Sequence, residues 1–133
     1  HYERLLDENL TLNPGAKAYL ENLKSAGKQC AVVSSAATWM VDNILQSLQL
    51  GGMFDVVITQ EHVTKHKPDP EAYQLALSKL NVSPERTLVF EDSCAGVEAG
   101  AASGCDVIAV VHDFNGKNNL SKALKTIQSY QEM

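Results

Sequence analysis

Leu88-Val89-Phe90-Glu91-Asp92-Ser93 is the stretch on which the reading of this chain turns. Thr87 to Phe90 has the apolar content of a buried strand, and two adjacent carboxylates follow where that strand should end. A strand running into an acidic pair delivers negative charge to the carboxyl edge of a sheet, where open α/β folds place their ligands. Carboxylates this close repel each other by a few kcal/mol, at roughly 4 kcal/mol for unit charges ~4 Å apart and a dielectric of about 20. A hard cation such as Mg²⁺ relieves that repulsion, and carboxylate oxygen is the ligand it prefers.

Outward from this stretch, two more apolar runs end in polar chemistry. Ala31-Val32-Val33 leads into Ser34-Ser35, and Asp55 to Thr59 leads, after a short loop, to Lys65-His66-Lys67-Pro68. If the strands run parallel, hydroxyl, ammonium and acidic pair gather on one edge of one sheet. Those three groups together suit a phosphoryl group.

The rest of the chain alternates helix and strand. Asn13-Pro14-Gly15 opens a helix by cap and first-turn proline, with Tyr19, Leu20 and Leu23 on its apolar face and Gly27 at its end. Lys28 to Ser34 is a strand. Thr38 to Leu48 is a helix with Val41, Ile44, Leu45 and Leu48 at core spacing, and Val56 to Thr59 the next strand. Asp69-Pro70-Glu71 starts a third helix, with Tyr73, Ala76, Leu77 and Leu80 inward. A small-residue helix spans about Ala95 to Ser103, and Gly96 and Gly100 let it approach the sheet closely. Asp106 to Val111 is the last clear strand, and Ser121 to Ser129 reads as a closing helix with Leu124 and Ile127 inward. This rhythm predicts a doubly wound parallel sheet with helices on both faces.

These motifs, in this order, resemble the haloacid dehalogenase-like superfamily, most closely its phosphatases and β-phosphoglucomutase-like members. Val33-Ser34-Ser35 resembles the second family motif, Lys67-Pro68-Asp69-Pro70 the third, and Phe90-Glu91-Asp92-Ser93 through Gly96 the fourth. The resemblance implies a Rossmann-type core with Ser34 and Lys67 as catalytic residues. Ser34, Ser35 and Lys67 would bind substrate, and Glu91 and Asp92 would hold Mg²⁺, with Asp92 the direct ligand. It implies a phosphohydrolase of a small phosphorylated metabolite, working through an aspartyl-phosphate; a sugar phosphomutase shares every motif present.

One departure matters. The family's first motif, Asp-x-Asp on a central first strand, is missing: Asp7, Asp42, Asp55, Asp69, Asp92, Asp106 and Asp113 include no pair spaced two apart. The expectation is therefore a C-terminal core portion. Residues 1–12 would be the end of a cap and its hinge, and 13–133 a core with four visible strands and a vacant central place. Without the nucleophile the chain alone should be inactive. The gap should be filled by rearranged pairing, by strand exchange or self-association, or by a part of the protein outside this sequence. A receiver-like signalling domain fits less well, because there the acidic pair comes first and the lysine last. A non-catalytic binding module on the same fold is the remaining alternative.

At 133 residues the chain is one domain, with the 44 % hydrophobic and 20 % charged content of ordinary globular proteins. A net charge of −5 opposes non-specific binding to nucleic acid or anionic membrane. The three cysteines, Cys30, Cys94 and Cys105, lack metal-ligand spacing and read as thiols, which fits a cytoplasmic setting. His62, His66 and His112 read as loop histidines, His112 the one that follows the last strand on the functional edge, and Trp39 begins the helix after Ser34-Ser35, where bordering the substrate entrance and a core or cap contact are equal readings.

Overall fold

The four apolar runs all form strands in the computed structural model, which describes residues 3–6, 16–47, 49–91, 93–110, 123 and 125–127. The strands are β1 (Glu3–Leu6), β2 (Cys30–Val33), β3 (Val56–Ile58), β4 (Thr87–Glu91), β5 (Asp106–Val110) and β6 (Lys125–Ile127). The helices are α1 (Ala16–Ser25), α2 (Thr38–Ser47), α3 (Glu71–Leu80) and α4 (Cys94–Ala102). They form one six-stranded sheet in the order β3-β2-β1-β4-β5-β6, and every neighbouring pair is parallel.

Two strands depart from expectation. The central place expected to be vacant is occupied by β1, whose Leu5 pairs with Ala31 on one side and Val89 on the other. Glu3–Leu6 thus runs within the sheet rather than in a hinge ahead of it. The remainder of residues 1–12 lies outside the described residues. The physical reason is the demand of the slot. β2 and β4 each present a row of backbone N–H and C=O groups that must find partners once buried. The second departure is at the other end, where a closing helix over Ser121 to Ser129 was expected. Lys125–Ile127 is instead a short strand pairing with β5. Thr126 and Ile127 are β-branched and suit an extended backbone. Ile127 is inward as expected, at 1 % exposure, whereas Leu124 lies outside the described residues.

Alternation along the central strands divides the core in two. Cys30, Val32, Leu88, Phe90 and Ile108 pack with Leu20 and Leu23 of α1 and Val41 and Leu45 of α2. Ala31, Val33, Val89, Val107 and Ala109 pack with Tyr73, Ala76 and Leu77 of α3 and Val97 and Ala99 of α4. Strands covered on both faces read as continuous apolar runs, and β2 and β4 are buried along their whole length. Gly100 earns its place here: a Cβ on it would lie 2.9 Å from Val107 Cγ2 and 3.2 Å from Val89 Cγ1. Because all strands are parallel, their carboxyl ends share one edge. Among the described residues no helix is long and apolar enough to cross a membrane.

Candidate active site

Three sequence-distant groups converge at the carboxyl edge of the sheet. β2 ends at Val33 and hands the chain to Ser34, which is buried and whose amide donates to Ile58 O of β3 at 2.9 Å. The Ser34 hydroxyl accepts from the Ala36 amide at 3.0 Å, which closes a tight turn toward α2. Ser35 beside it is exposed. β4 ends on Glu91, only 1 % exposed. Between them comes Lys67, whose Nζ donates to Val33 O at 3.1 Å and forms an ion pair with Glu91 Oε2. Val33 and Glu91 stand one residue beyond the positions, Val32 and Phe90, that pair with Leu6. Lys67 therefore bridges the carboxyl end of the central slot. Lys65, the other candidate ammonium, is exposed on the loop ahead.

The carboxylate of Glu91 is held from three sides. Lys67 meets it from the loop before α3, where Pro70 is the N-cap and Asp69 ahead of it accepts from the Glu71 amide at 3.0 Å. The Tyr73 hydroxyl of α3 donates to the same oxygen, Oε2. Gly96 of α4 lies under the carboxyl group, where a Cβ would overlap it. Ser93 caps α4 by accepting from the Gly96 amide at 3.0 Å, which fixes the glycine in the first turn. A buried carboxylate survives only if paired and hydrogen-bonded, and both conditions are met.

The residues read from the sequence thus divide. Ser34, Lys67 and Glu91 come together; Ser35 stands at the rim; Asp92 lies outside the described residues. Glu91, expected to help hold a metal, has its carboxylate engaged by Lys67 and Tyr73. Among the described residues no group of three or more His, Cys, Asp or Glu side chains is placed to hold a metal ion. The described residues do not by themselves make a Mg²⁺ site. His62 accepts from the Thr59 amide through Nδ1 at 2.8 Å, His66 is exposed, and His112 lies outside the described residues. Trp39, in the first turn of α2, is 66 % exposed at this edge.

Two contributors escape sequence reading. Tyr73 has the helical spacing of a core residue, and nothing in that pattern tells where its hydroxyl goes. Glu61 sits on a polar loop, yet it braces the Ser34 turn from β3's side. Its carboxylate accepts from the Thr38 amide at 2.9 Å, the Thr38 hydroxyl at 2.7 Å and the Thr59 hydroxyl at 3.1 Å. The Thr38 hydroxyl above all, then backbone amides, hold the Glu61 carboxyl below the ordinary carboxylate range.

Comparison with known proteins agrees with this architecture. The family profile described as haloacid dehalogenase-like hydrolase matches residues 1–110. A phosphorylated carbohydrates phosphatase of Thermotoga maritima is 39 % identical over 122 residues, covering 91 % of this chain and 56 % of that protein. Hexitol phosphatase A of Escherichia coli is 38 % identical over 110 residues, covering 83 % of this chain and 50 % of its own length. The crystal structure of a β-phosphoglucomutase from Clostridium difficile superposes with a TM-score of 0.80 at 25 % identity, over 91 % of this chain and 52 % of that one. The chain spans about half the length of the relatives it matches.

Proposed function

Because this chain belongs to the haloacid dehalogenase-like hydrolase family, we propose that it is the C-terminal core portion of a Mg²⁺-dependent phosphohydrolase acting on a small phosphorylated metabolite. The observation that carries the reading is the convergence of Ser34, Lys67 and Glu91 at the carboxyl end of the central slot. Similarity to phosphatases of phosphorylated carbohydrates and hexitols favours a phosphorylated sugar or sugar alcohol.

In this reading the Ser34 hydroxyl, which accepts from Ala36 and keeps its own proton to donate, holds a phosphoryl oxygen, and Ser35 faces the substrate. Lys67 neutralises charge on the transferring group; an ammonium ~4 Å from such a charge gains ~4 kcal/mol at a dielectric of about 20. An upstream aspartate, on a strand that in the whole protein would take the central place held here by Glu3–Leu6, attacks phosphorus, the phosphorus–oxygen bond to the leaving alcohol breaks, and water then cleaves the aspartyl-phosphate. Asp92 with Glu91 is proposed to hold Mg²⁺ in the whole protein. Within the described residues Glu91 is a single carboxylate already paired, so no step here passes through the ion. A cytoplasmic setting is part of the reading, consistent with three cysteines that are all free thiols.

A phosphomutase is the second reading, favoured by the superposition on a β-phosphoglucomutase. Both readings are tested in a protein that carries an Asp-x-Asp strand ahead of this chain. Phosphate release from hexose and hexitol phosphates is measured with Mg²⁺ and with excess chelator. Phosphate release that needs Mg²⁺ supports the hydrolase. Isomerised sugar phosphate without release supports the mutase, and neither product overturns both. This chain alone should not hydrolyse p-nitrophenyl phosphate; robust Mg²⁺-dependent turnover by it would refute the upstream nucleophile.

A further inference from the structure

We infer that Tyr73 is a positioning residue, whose hydroxyl aims the Glu91 carboxylate so that Glu91 in turn fixes the Lys67 ammonium at the mouth of the central slot. The inference rests on reading Lys67 as the cation that faces the phosphoryl group. Tyr73 is 0 % exposed, in the core between α3 and the sheet. A purely apolar role would be met by phenylalanine. Instead the hydroxyl donates to Glu91 Oε2, the same oxygen that Lys67 engages.

The geometry makes this one assembly rather than two contacts. The Lys67 ammonium lies 5.2 Å from the Tyr73 ring centroid, so ring face and hydroxyl both act on the pair, one directly and one through Glu91. Gly96 leaves room for the carboxyl group on the far side. Four elements therefore set one ammonium position: β4 supplies the carboxylate, α3 the hydroxyl, α4 the space and β2 a carbonyl, Val33 O, at 3.1 Å. A carboxylate with one charged partner can swing on its side chain. A second donor on the same oxygen, from a ring locked in the core, removes that freedom. Lysine carries about 2 kcal/mol of rotamer entropy, so a fixed counter-ion matters more for it than for a rigid group.

The test uses this chain and needs no turnover. Competitive acetylation at fixed pH gives the reactivity of each lysine, with exposed Lys79 and half-buried Lys28 as internal references. Lys67, 9 % exposed and paired, should react slowly. Tyr73→Phe keeps the ring in the core and should leave the melting transition cooperative, while Lys67 labelling rises about tenfold, the effect of losing one hydrogen bond to a charged group. The reference lysines should not change. Glu91→Gln should also speed Lys67, and adding Tyr73→Phe to it should produce no further rise, because the hydroxyl acts only through the carboxylate. Multiplying effects in the double variant would overturn the inference, as would an unchanged Lys67 in a folded Tyr73→Phe chain. A measurement independent of variants closes the test: the Tyr73 hydroxyl proton should be visible by NMR and exchange slowly, and rapid exchange would also overturn it. Failure here leaves the phosphohydrolase reading standing. An inactive whole protein in which Lys67 responds as expected would sink that reading and leave the positioning role intact.

Discussion

At Gly96 a side chain would have to share space with the Glu91 carboxylate. Helix propensity alone would favour alanine there by about 1 kcal/mol. The carboxylate can yield only by leaving Lys67 and Tyr73, so overpacking, typically ~1–3 kcal/mol, should win. Gly96→Ala should therefore lower the urea midpoint, and a raised midpoint would show that Glu91 has another place to go. Glu61 offers a pH-dependent counterpart. Its carboxyl is held below its ordinary value, chiefly by the Thr38 hydroxyl. The sign follows from linkage: a carboxylate with a depressed folded value stabilises above its unfolded value, about 4.3, and loses that contribution as pH falls through the folded one. Protection of the Thr38 amide from hydrogen exchange should drop over that acidic window. In Glu61→Gln the drop should disappear, since an amide oxygen still accepts but does not titrate. An identical pH profile in the variant would remove Glu61 from the account.

At the scale of elements, the central strand carries the sharpest test. Leu5 takes the register position between Ala31 and Val89, both wholly buried. Leu5→Pro removes a backbone donor from the centre of that ladder, where proline is not accommodated, and the groups left unpaired weigh heavily against a domain's ~5–15 kcal/mol of stability. The variant should lose its cooperative transition by circular dichroism. Ile127→Ala in β6 should cost less, about 2–5 kcal/mol, because an edge strand loses one buried side chain and no ladder. These two strands are also where sequence reading stopped short. β2, β3, β4 and β5 announced themselves because buried parallel strands are apolar runs with turns at each end. Glu3-Arg4-Leu5-Leu6 begins with two charges and has no such run. Its place follows from the slot between β2 and β4, which is a property of the fold. Lys125-Thr126-Ile127 shares with Leu124 a spacing that suits a helix equally well; pairing with β5 decided the matter. Ser34, Lys67 and Glu91 were legible because each follows its own strand and parallel strands put their ends together. The Tyr73 hydroxyl was not, since periodicity reports which face a side chain takes and not what its polar tip meets.

For the molecule as a whole, the doubly wound sheet makes β1 the seam between two halves. β2 and β3 lie on one side of it and β4, β5 and β6 on the other, while Lys67 ties Val33 to Glu91 across its carboxyl end. The candidate active-site groups are thus held together by the seam as much as by their own contacts. Removing residues 1–6 tests this. Four consecutive positions on β4 and three on β2 would lose their register partners. An exposed row of backbone donors and acceptors in a buried sheet invites pairing with another chain. The shortened chain should therefore either lose cooperative unfolding or self-associate, the two copies lending each other a strand. Size-exclusion chromatography with light scattering separates these outcomes from a third. A monomer with unchanged melting would mean that β2 and β4 close on each other, and that the seam is not what holds Ser34 and Lys67 to Glu91. Lys67 labelling in the same preparation gives the functional reading of that result. If the seam sets the site, Lys67 should become as reactive as Lys28 when the central strand is lost, even where the helices on both faces survive.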